Sequence, residues 1–230
     1  MNEAELQAEY RRHKQDVRKI FKAKRNALSV AERVKFSRLI TASLLEQQEF
    51  QQAHRVHLYC SFGAEVSTQE LVEAAFAMNK RVFMPIVPVV KPHEEGTERA
   101  YTLLHTEIHS NQAFGFDRFG MPAPLPLNRD DPGATLEYCT PSKQMTALDC
   151  IVVPIVAFDT NCGRLGYGKG FYDRFLATFD RPQPCKIGVA FSCQKADLLP
   201  LELHDEPLDM IVTEQEIIRS ERTSLLELYR

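Results

Sequence analysis

Residues 149–158 read DCIVVPIVAF, a near-continuous apolar run. A strand of that composition has no wet side, so it belongs in a sheet covered on both faces. Residues 161–175, NCGRLGYGKGFYDRF, follow at once. Four glycines, Gly163, Gly166, Gly168 and Gly170, surround Lys169 there, and Asp173 lies three residues past the last of them. Glycine lets backbone N–H groups come close to a ligand and takes up positive φ without steric cost. Beyond the loop, Phe171, Phe175 and Phe179 recur at i, i+4 and i+8 with Tyr172 and Leu176 beside them, which predicts a helix. Strand, glycine loop, helix is the order in which backbone amides gather around phosphate.

The rest of the chain alternates in the same way. Residues 55–61 predict a strand. Ser67 with Glu70 reads as a capping box opening a helix whose apolar side is Leu71, Val72, Ala75, Phe76 and Met78, and residues 81–87 predict the next strand. That is a βαβ unit, and residues 186–191 and 210–213 predict further strands. Residues 101–105 read as a short strand, and 114–141 as mostly irregular. The N-terminal segment, 3–28, is a charged helix with a narrow apolar stripe of Leu6, Tyr10, Val17, Ile20 and Phe21. Ser29 with Glu32 is a second capping box, opening a helix that buries Val34, Leu39, Ile40, Leu44 and Leu45. The expected fold class is α/β, a three-layer, mostly parallel sheet with helices on both faces. Neither repeat nor linker divides residues 1–230, which read as one domain.

Composition narrows the function classes. A net charge of -3 gives no electrostatic reason to expect nucleic acid or an acidic membrane as partner. The N-terminus lacks the apolar stretch of a signal peptide, and no run approaches the ~20 apolar residues of a membrane span, so a cytoplasmic location is expected. The six cysteines are scattered and form no CxxC pair, which reads as reduced structural thiols rather than a disulfide or zinc framework. His57 lies in the first strand of the βαβ unit and reads as a core or edge residue.

The loop satisfies GxxxxGK over residues 163–169, but Gly170 stands where a P-loop hydroxyl would hold Mg²⁺, and the spacing is not GxGxxG. Asp173, one turn into the following helix, can supply a Mg²⁺ ligand instead, since Mg²⁺ commonly takes one or two carboxylates plus phosphate oxygens. A glycine-rich turn before an ordinary helix remains the alternative.

Residues 163–173, GRLGYGKGFYD, resemble the loop GxRLGxGKGYYD of the 5-formyltetrahydrofolate cyclo-ligase (methenyltetrahydrofolate synthetase) family, with Phe171 where tyrosine is common. The resemblance extends to Lys14 and Arg18 in the first helix, to residues 61–68 and 83–86, and to the closing segment 204–214. It implies a Rossmann-like cyclo-ligase fold and conversion of 5-formyltetrahydrofolate and ATP to 5,10-methenyltetrahydrofolate, ADP and phosphate, with Mg²⁺. By resemblance, Lys14, Arg18 and Arg164 neutralise ATP phosphates, and the amides of residues 165–170 (Leu165, Gly166, Tyr167, Gly168, Lys169, Gly170) cradle them. Gly163, Phe171 and Tyr172 complete the nucleotide side, and Asp173 holds Mg²⁺. Lys169 and Arg164 are the catalytic candidates, with Lys169 directed to the formyl oxygen or the transferring phosphoryl group. The folate side comprises Cys60, Glu65, Tyr167, Lys169 and Phe171, bordered by Phe62 and Phe119. Glu202, Asp205 and Asp209 are alternates for a second metal carboxylate. Ala123 stands where the family commonly has glutamate in a GxPEP-like string. A paralogue acting on another formyl or carboxyl compound, or a non-catalytic folate- or nucleotide-binding regulator, is the competing reading. The chain is read as a monomer, with a dimer left open.

Overall fold

Strand β6 (Cys150–Pro154) shows why the apolar run needed two covers. Its alternation feeds two cores: Cys150 and Val152 join one cluster, Ile151 and Val153 the other. The computed structural model describes residues 3–86, 103–117, 120–125, 148–179, 183–202 and 205–220. On one face of the sheet, helices α2 (Val30–Leu45), α3 (Gln48–Gln52) and α4 (Gln69–Ala77) contribute Ile40, Leu44, Phe50, Leu71 and Ala75. On the other, Phe175 and Leu176 of α5 (Phe171–Leu176), with Phe179 just beyond it, close the second cluster.

Around β6 the sheet is parallel. Strand β1 (Arg55–His57) lies beside it, then β2 (Arg81–Ile86), with β9 (Cys185–Val189) and β10 (Met210–Val212) on the other side. The unit β1–α4–β2 is parallel, with Arg55 opposite Arg81. Antiparallel strands finish both edges, β3 (Leu104–Ile108) on β2 and β11 (Ile217–Arg219) on β10, giving the order β11-β10-β9-β6-β1-β2-β3. The expected mostly parallel, three-layer sheet is what forms. Strand β11 was not legible, and in the stretch read as irregular a two-stranded hairpin forms from β4 (Phe114–Phe116) and β5 (Pro122–Pro124).

Four local expectations are corrected. The apolar run is not one strand: β6 ends at Pro154, and after a break β7 (Ala157–Phe158) pairs back on β8 (Arg164–Leu165). A hairpin therefore separates the sheet strand from the glycine loop. At α4 the capping residue is Thr68, without a side-chain cap, because its hydroxyl donates to Tyr59 O while Glu70 turns outward to Arg38. The Ser29–Glu32 box of α2 forms as expected, yet Val34 and Leu39 are exposed; Ser37 and Thr41 join Ile40 and Leu44 in its buried face. On α1 (Glu3–Asn26), Leu6 and Ile20 are exposed, and the inward positions are Lys14, Phe21 and Arg25. This helix lies off the main cores, where Phe21 meets a small cluster of Val156, Ala157, Leu165 and Leu199.

His57, on β1, is buried as expected and pairs with buried His105 of β3, Nε2 to Nδ1 at 3.0 Å. The Phe175 ring stacks on His105 at 4.1 Å and tilts against His57 at 4.8 Å. Burial lowers the pKa of both, with the neighbouring ring adding to the effect at His57, and it brings His105 to about 3. A group whose folded pKa is depressed stabilises above its unfolded value and loses that contribution as pH falls. Stability is therefore expected to fall below about pH 6.5, by about 1 kcal/mol per pH unit for each histidine. Denaturant titrations between pH 7.5 and 5 check this, together with ring NMR signals of the pair, which should stay neutral over that range. Titrating rings with flat stability would refute it.

Candidate active site

A cavity of about 760 Å³ opens at the carboxyl edge of the parallel strands, where Tyr59, Cys60, Pro85 and Pro154 form its floor. Open α/β sheets present ligand sites at this edge. The glycine loop, 166–170, makes one wall, α1 contributes Lys14 and Arg18, and the β4–β5 hairpin adds Asp117, Met121, Pro122 and Ala123. Ala123, buried in β5, makes the β5 part of this wall apolar.

The loop conformation depends on glycine at two points. Gly168 has φ +91°, and a Cβ there would sit 3.3 Å from the guanidinium carbon of Arg18; Gly170, at φ +66°, turns the chain into α5 in a left-handed conformation. Arg18 Nε donates to Gly166 O at 2.8 Å and so fixes the loop against α1. Arg174 donates to Lys169 O from the other side. The expected strand, loop and helix are present in modified form, since α5 has only six residues. Compensation of a bound anion therefore falls largely to side-chain cations.

Those cations are mostly held in place by carboxylates. Arg164, 3% exposed, pairs with Asp173 at 2.7 Å. Lys14, 4% exposed, is gripped by Glu202 at 2.6 Å and Asp205 at 2.5 Å. Burial lowers the Lys14 pKa, but the bonds to Asp205 and Glu202 outweigh it and the net shift is upward. Lys169 lies exposed on the loop and lines the same cavity. Glu65, also lining the cavity, accepts from Phe62 N at 2.8 Å and from the Tyr167 hydroxyl. Burial raises the Glu65 pKa, and the bond from Tyr167 opposes that shift. Burial also pushes the Cys60 thiol up to about 12, and its sulfur rests 3.2 Å from Met84 Sδ, so it offers no thiolate nucleophile at neutral pH.

Most of the residues singled out in the sequence thus line one cavity: Lys14, Arg18, Cys60, Glu65, Arg164 to Asp173, Glu202 and Asp205. Three do not. Asp209 accepts from Lys186 N at the amino ends of β9 and β10, the far edge of the sheet, and is corrected as a metal candidate. Gly163 lies in the β7–β8 turn, where its amide donates to Asp159 Oδ1 at 2.9 Å. Phe62 is an exposed residue beside Glu65 rather than a lining one. Phe119 is outside the described residues. Sequence reading passed over Arg25 as part of a basic face, although it lies seven residues beyond Arg18 and so shares its side of the helix.

Among the described residues, no group of three or more His, Cys, Asp or Glu is arranged to hold a metal, and no helix is long and apolar enough to cross a membrane. A parallel sheet whose carboxyl edge carries a cavity walled by a glycine loop and buried cations defines an α/β protein with a ligand site at the sheet edge. The model of the 5-formyltetrahydrofolate cyclo-ligase family matches residues 10–214. The chain belongs to that family. It is 31% identical over 202 residues to the 5-formyltetrahydrofolate cyclo-ligase of Haemophilus influenzae, covering 86% of this chain and 97% of that one. The solved structure of Aquifex aeolicus 5,10-methenyltetrahydrofolate synthetase superimposes with a TM-score of 0.70 at 31% identity, covering 90% of this chain and 92% of that one. A 5,10-methenyltetrahydrofolate synthetase from Mycoplasma pneumoniae gives a TM-score of 0.63 at 25% identity, covering 87% and 98%.

Proposed function

We propose that this chain converts 5-formyltetrahydrofolate to 5,10-methenyltetrahydrofolate, consuming ATP and releasing ADP and phosphate. The observation that carries the reading is one cavity lined both by the glycine loop with Lys169 and by Glu65, which Tyr167 of that loop bonds. Phosphate chemistry and ring recognition are therefore within one ligand's reach of each other.

The formyl carbon is a poor electrophile because its nitrogen donates into the carbonyl. In the proposed reaction the formyl oxygen attacks the γ-phosphorus, and the bond to ADP breaks. N10 then adds to the activated carbon, the carbon–oxygen bond breaks with departure of phosphate, and N10 loses its proton as the ring closes. No protein nucleophile is needed, in keeping with a Cys60 thiol held protonated. The protein's part is placement and charge compensation, the two contributions that dominate phosphoryl transfer. Loop amides from Gly166 to Gly170 take the phosphates, Arg18 and Arg164 flank them, and Lys169 meets charge on the transferring group. Glu65 accepts hydrogen bonds from ring N–H donors on the folate side.

Among the described residues, six cations (Arg11, Lys14, Arg18, Arg164, Lys169 and Arg174) and five carboxylates (Glu65, Asp117, Asp173, Glu202 and Asp205) line the cavity. That near balance leaves a triphosphate undercompensated. Three of these carboxylates, Asp173, Glu202 and Asp205, are already paired with Arg164 and Lys14, which suits Mg²⁺ arriving with the nucleotide better than an all-protein metal cage. Asp173, with Asp205 or Glu202, would hold it, and the ion would neutralise γ-phosphate charge.

Purified protein mixed with 5-formyltetrahydrofolate, ATP and Mg²⁺ is expected to develop the methenyl absorbance. No absorbance change with active folate and sufficient enzyme would sink the reading. ATP turnover with a different formyl or carboxyl compound, and none with the formyl folate, would select the paralogue instead.

A further inference from the structure

Arg25 is 5% exposed, yet no carboxylate among the described residues pairs with it directly, and its Nε and Nη1 have no hydrogen-bond partner there. Burying a guanidinium without a carboxylate against it is costly. Its Nη2 donates to the Tyr167 hydroxyl at 3.1 Å, and that hydroxyl donates to Oε1 of Glu65. The relay runs from α1 across the glycine loop to the segment after β1. Lys22, one turn earlier on α1, lies 4.7 Å over the Tyr167 ring. Each oxygen of Glu65 accepts one bond, from Phe62 N or from Tyr167. A carboxylate oxygen can accept two, so both oxygens keep room for a pair of ligand N–H donors.

The other titratable groups facing Glu65 are Tyr59 and Cys60 after β1 and Tyr172 on α5. Burial raises the pKa of all three, so they are uncharged at neutral pH. Asp117, from the β4–β5 turn, bears on Cys60. Among the described residues, Arg25 is the cation whose charge opposes protonation of Glu65, adding to the hydrogen bonds from Tyr167 and Phe62 N.

We propose that Arg25 is a positioning residue for recognition of the folate ring: through Tyr167 it orients Glu65 and keeps it a carboxylate able to accept from ring N–H donors. The proposal rests on the folate reading above. It also makes Tyr167 the joint between ring recognition and the loop that takes phosphate.

The test uses Arg25→Met, Arg25→Lys and Tyr167→Phe in the full chain. In ligand-free protein, carboxyl NMR titration, with the Glu65 signal identified by Glu65→Gln, should show its midpoint rise by about one pH unit in Arg25→Met and Tyr167→Phe and return toward wild type in Arg25→Lys. In turnover, KM for the formyl folate should rise about tenfold, with the acidic limb of kcat/KM moving to higher pH, while KM for ATP stays within about twofold. An unmoved Glu65 midpoint overturns the proposal. So does a parallel rise of both KM values with no shift of the acidic limb. Tyr167 is exposed, so Tyr167→Phe keeps the test available if Arg25→Met does not fold. A wild type inactive on formyl folate would refute the reaction, whereas the ligand-free titration decides the coupling of Arg25 to Glu65 by itself.

Discussion

Lys169→Ala is expected to lower kcat by about 10²- to 10³-fold, the loss typical when one preorganised donor to developing charge is removed. The expectation comes from the place of Lys169 in the cavity wall, beside Gly166, Gly168 and Gly170. Lys169 sits on the exposed crest of the loop between Gly168 and Gly170, where the chain turns toward the cavity. A cation held there gains most when charge moves onto the transferring phosphoryl group. The loss should therefore fall mainly on kcat, with KM for ATP changing far less. Steady-state kinetics with each substrate varied in turn separates the two. A rise in KM for ATP with kcat unchanged would reassign Lys169 to ground-state binding.

How far the sequence discloses the fold follows from what periodicity can and cannot encode. The run at 149–158 required a doubly covered strand, and β6 supplies one. Composition does not mark where that strand stops, because Ile155, Val156, Ala157 and Phe158 remain buried after the chain leaves the sheet. The turn back through β7 and β8 is thus invisible in a hydropathy pattern. The same limit hid the inner face of α1. A stripe of apolar residues is the usual mark of a buried side, but here the inward positions are Lys14, Phe21 and Arg25. The two cations are held by carboxylates near residue 200 and by a tyrosine of the loop, and Phe21 by residues 156–199, and contacts of that separation leave no local trace. Capping signals divide in the same way. Ser29 and Glu32 close on each other, whereas Ser67 and Glu70 have the same spacing but the helix is capped at Thr68 and Glu70 turns to Arg38.

The site was more legible than the fold around it, because its loop carries residue types with little other use. The carboxylates were not. Glu202, Asp205 and Asp209 fall within eight residues, and only folding separates them: the first two reach Lys14 in the cavity, while Asp209 faces Lys186 at the opposite edge of the sheet. Conversely, Arg25 was present in the sequence with the right helical phase. The only signal that picks it out is burial without a carboxylate against it.

The Arg164–Asp173 pair makes the metal-site test sharper than a simple deletion. Asp173→Ala would leave Arg164, 3% exposed, without its carboxylate. Removing one partner of a buried pair costs about 3 kcal/mol or more, which for a chain of this size corresponds to a fall in Tm of roughly 6–12 °C. Loss of turnover in that variant would then mix two causes. Asp173→Asn keeps an acceptor for Arg164 and removes the charge that Mg²⁺ would need. It is expected to retain a Tm near that of the wild type, to lower turnover by about 10²-fold at limiting Mg²⁺, and to raise the Mg²⁺ concentration for half-maximal rate. Thermal melts beside Mg²⁺ titrations of the rate check both. An Asn variant with unchanged Mg²⁺ dependence would leave Asp173 as the anchor of Arg164 alone, and Glu202 and Asp205 would become the carboxylates to test next.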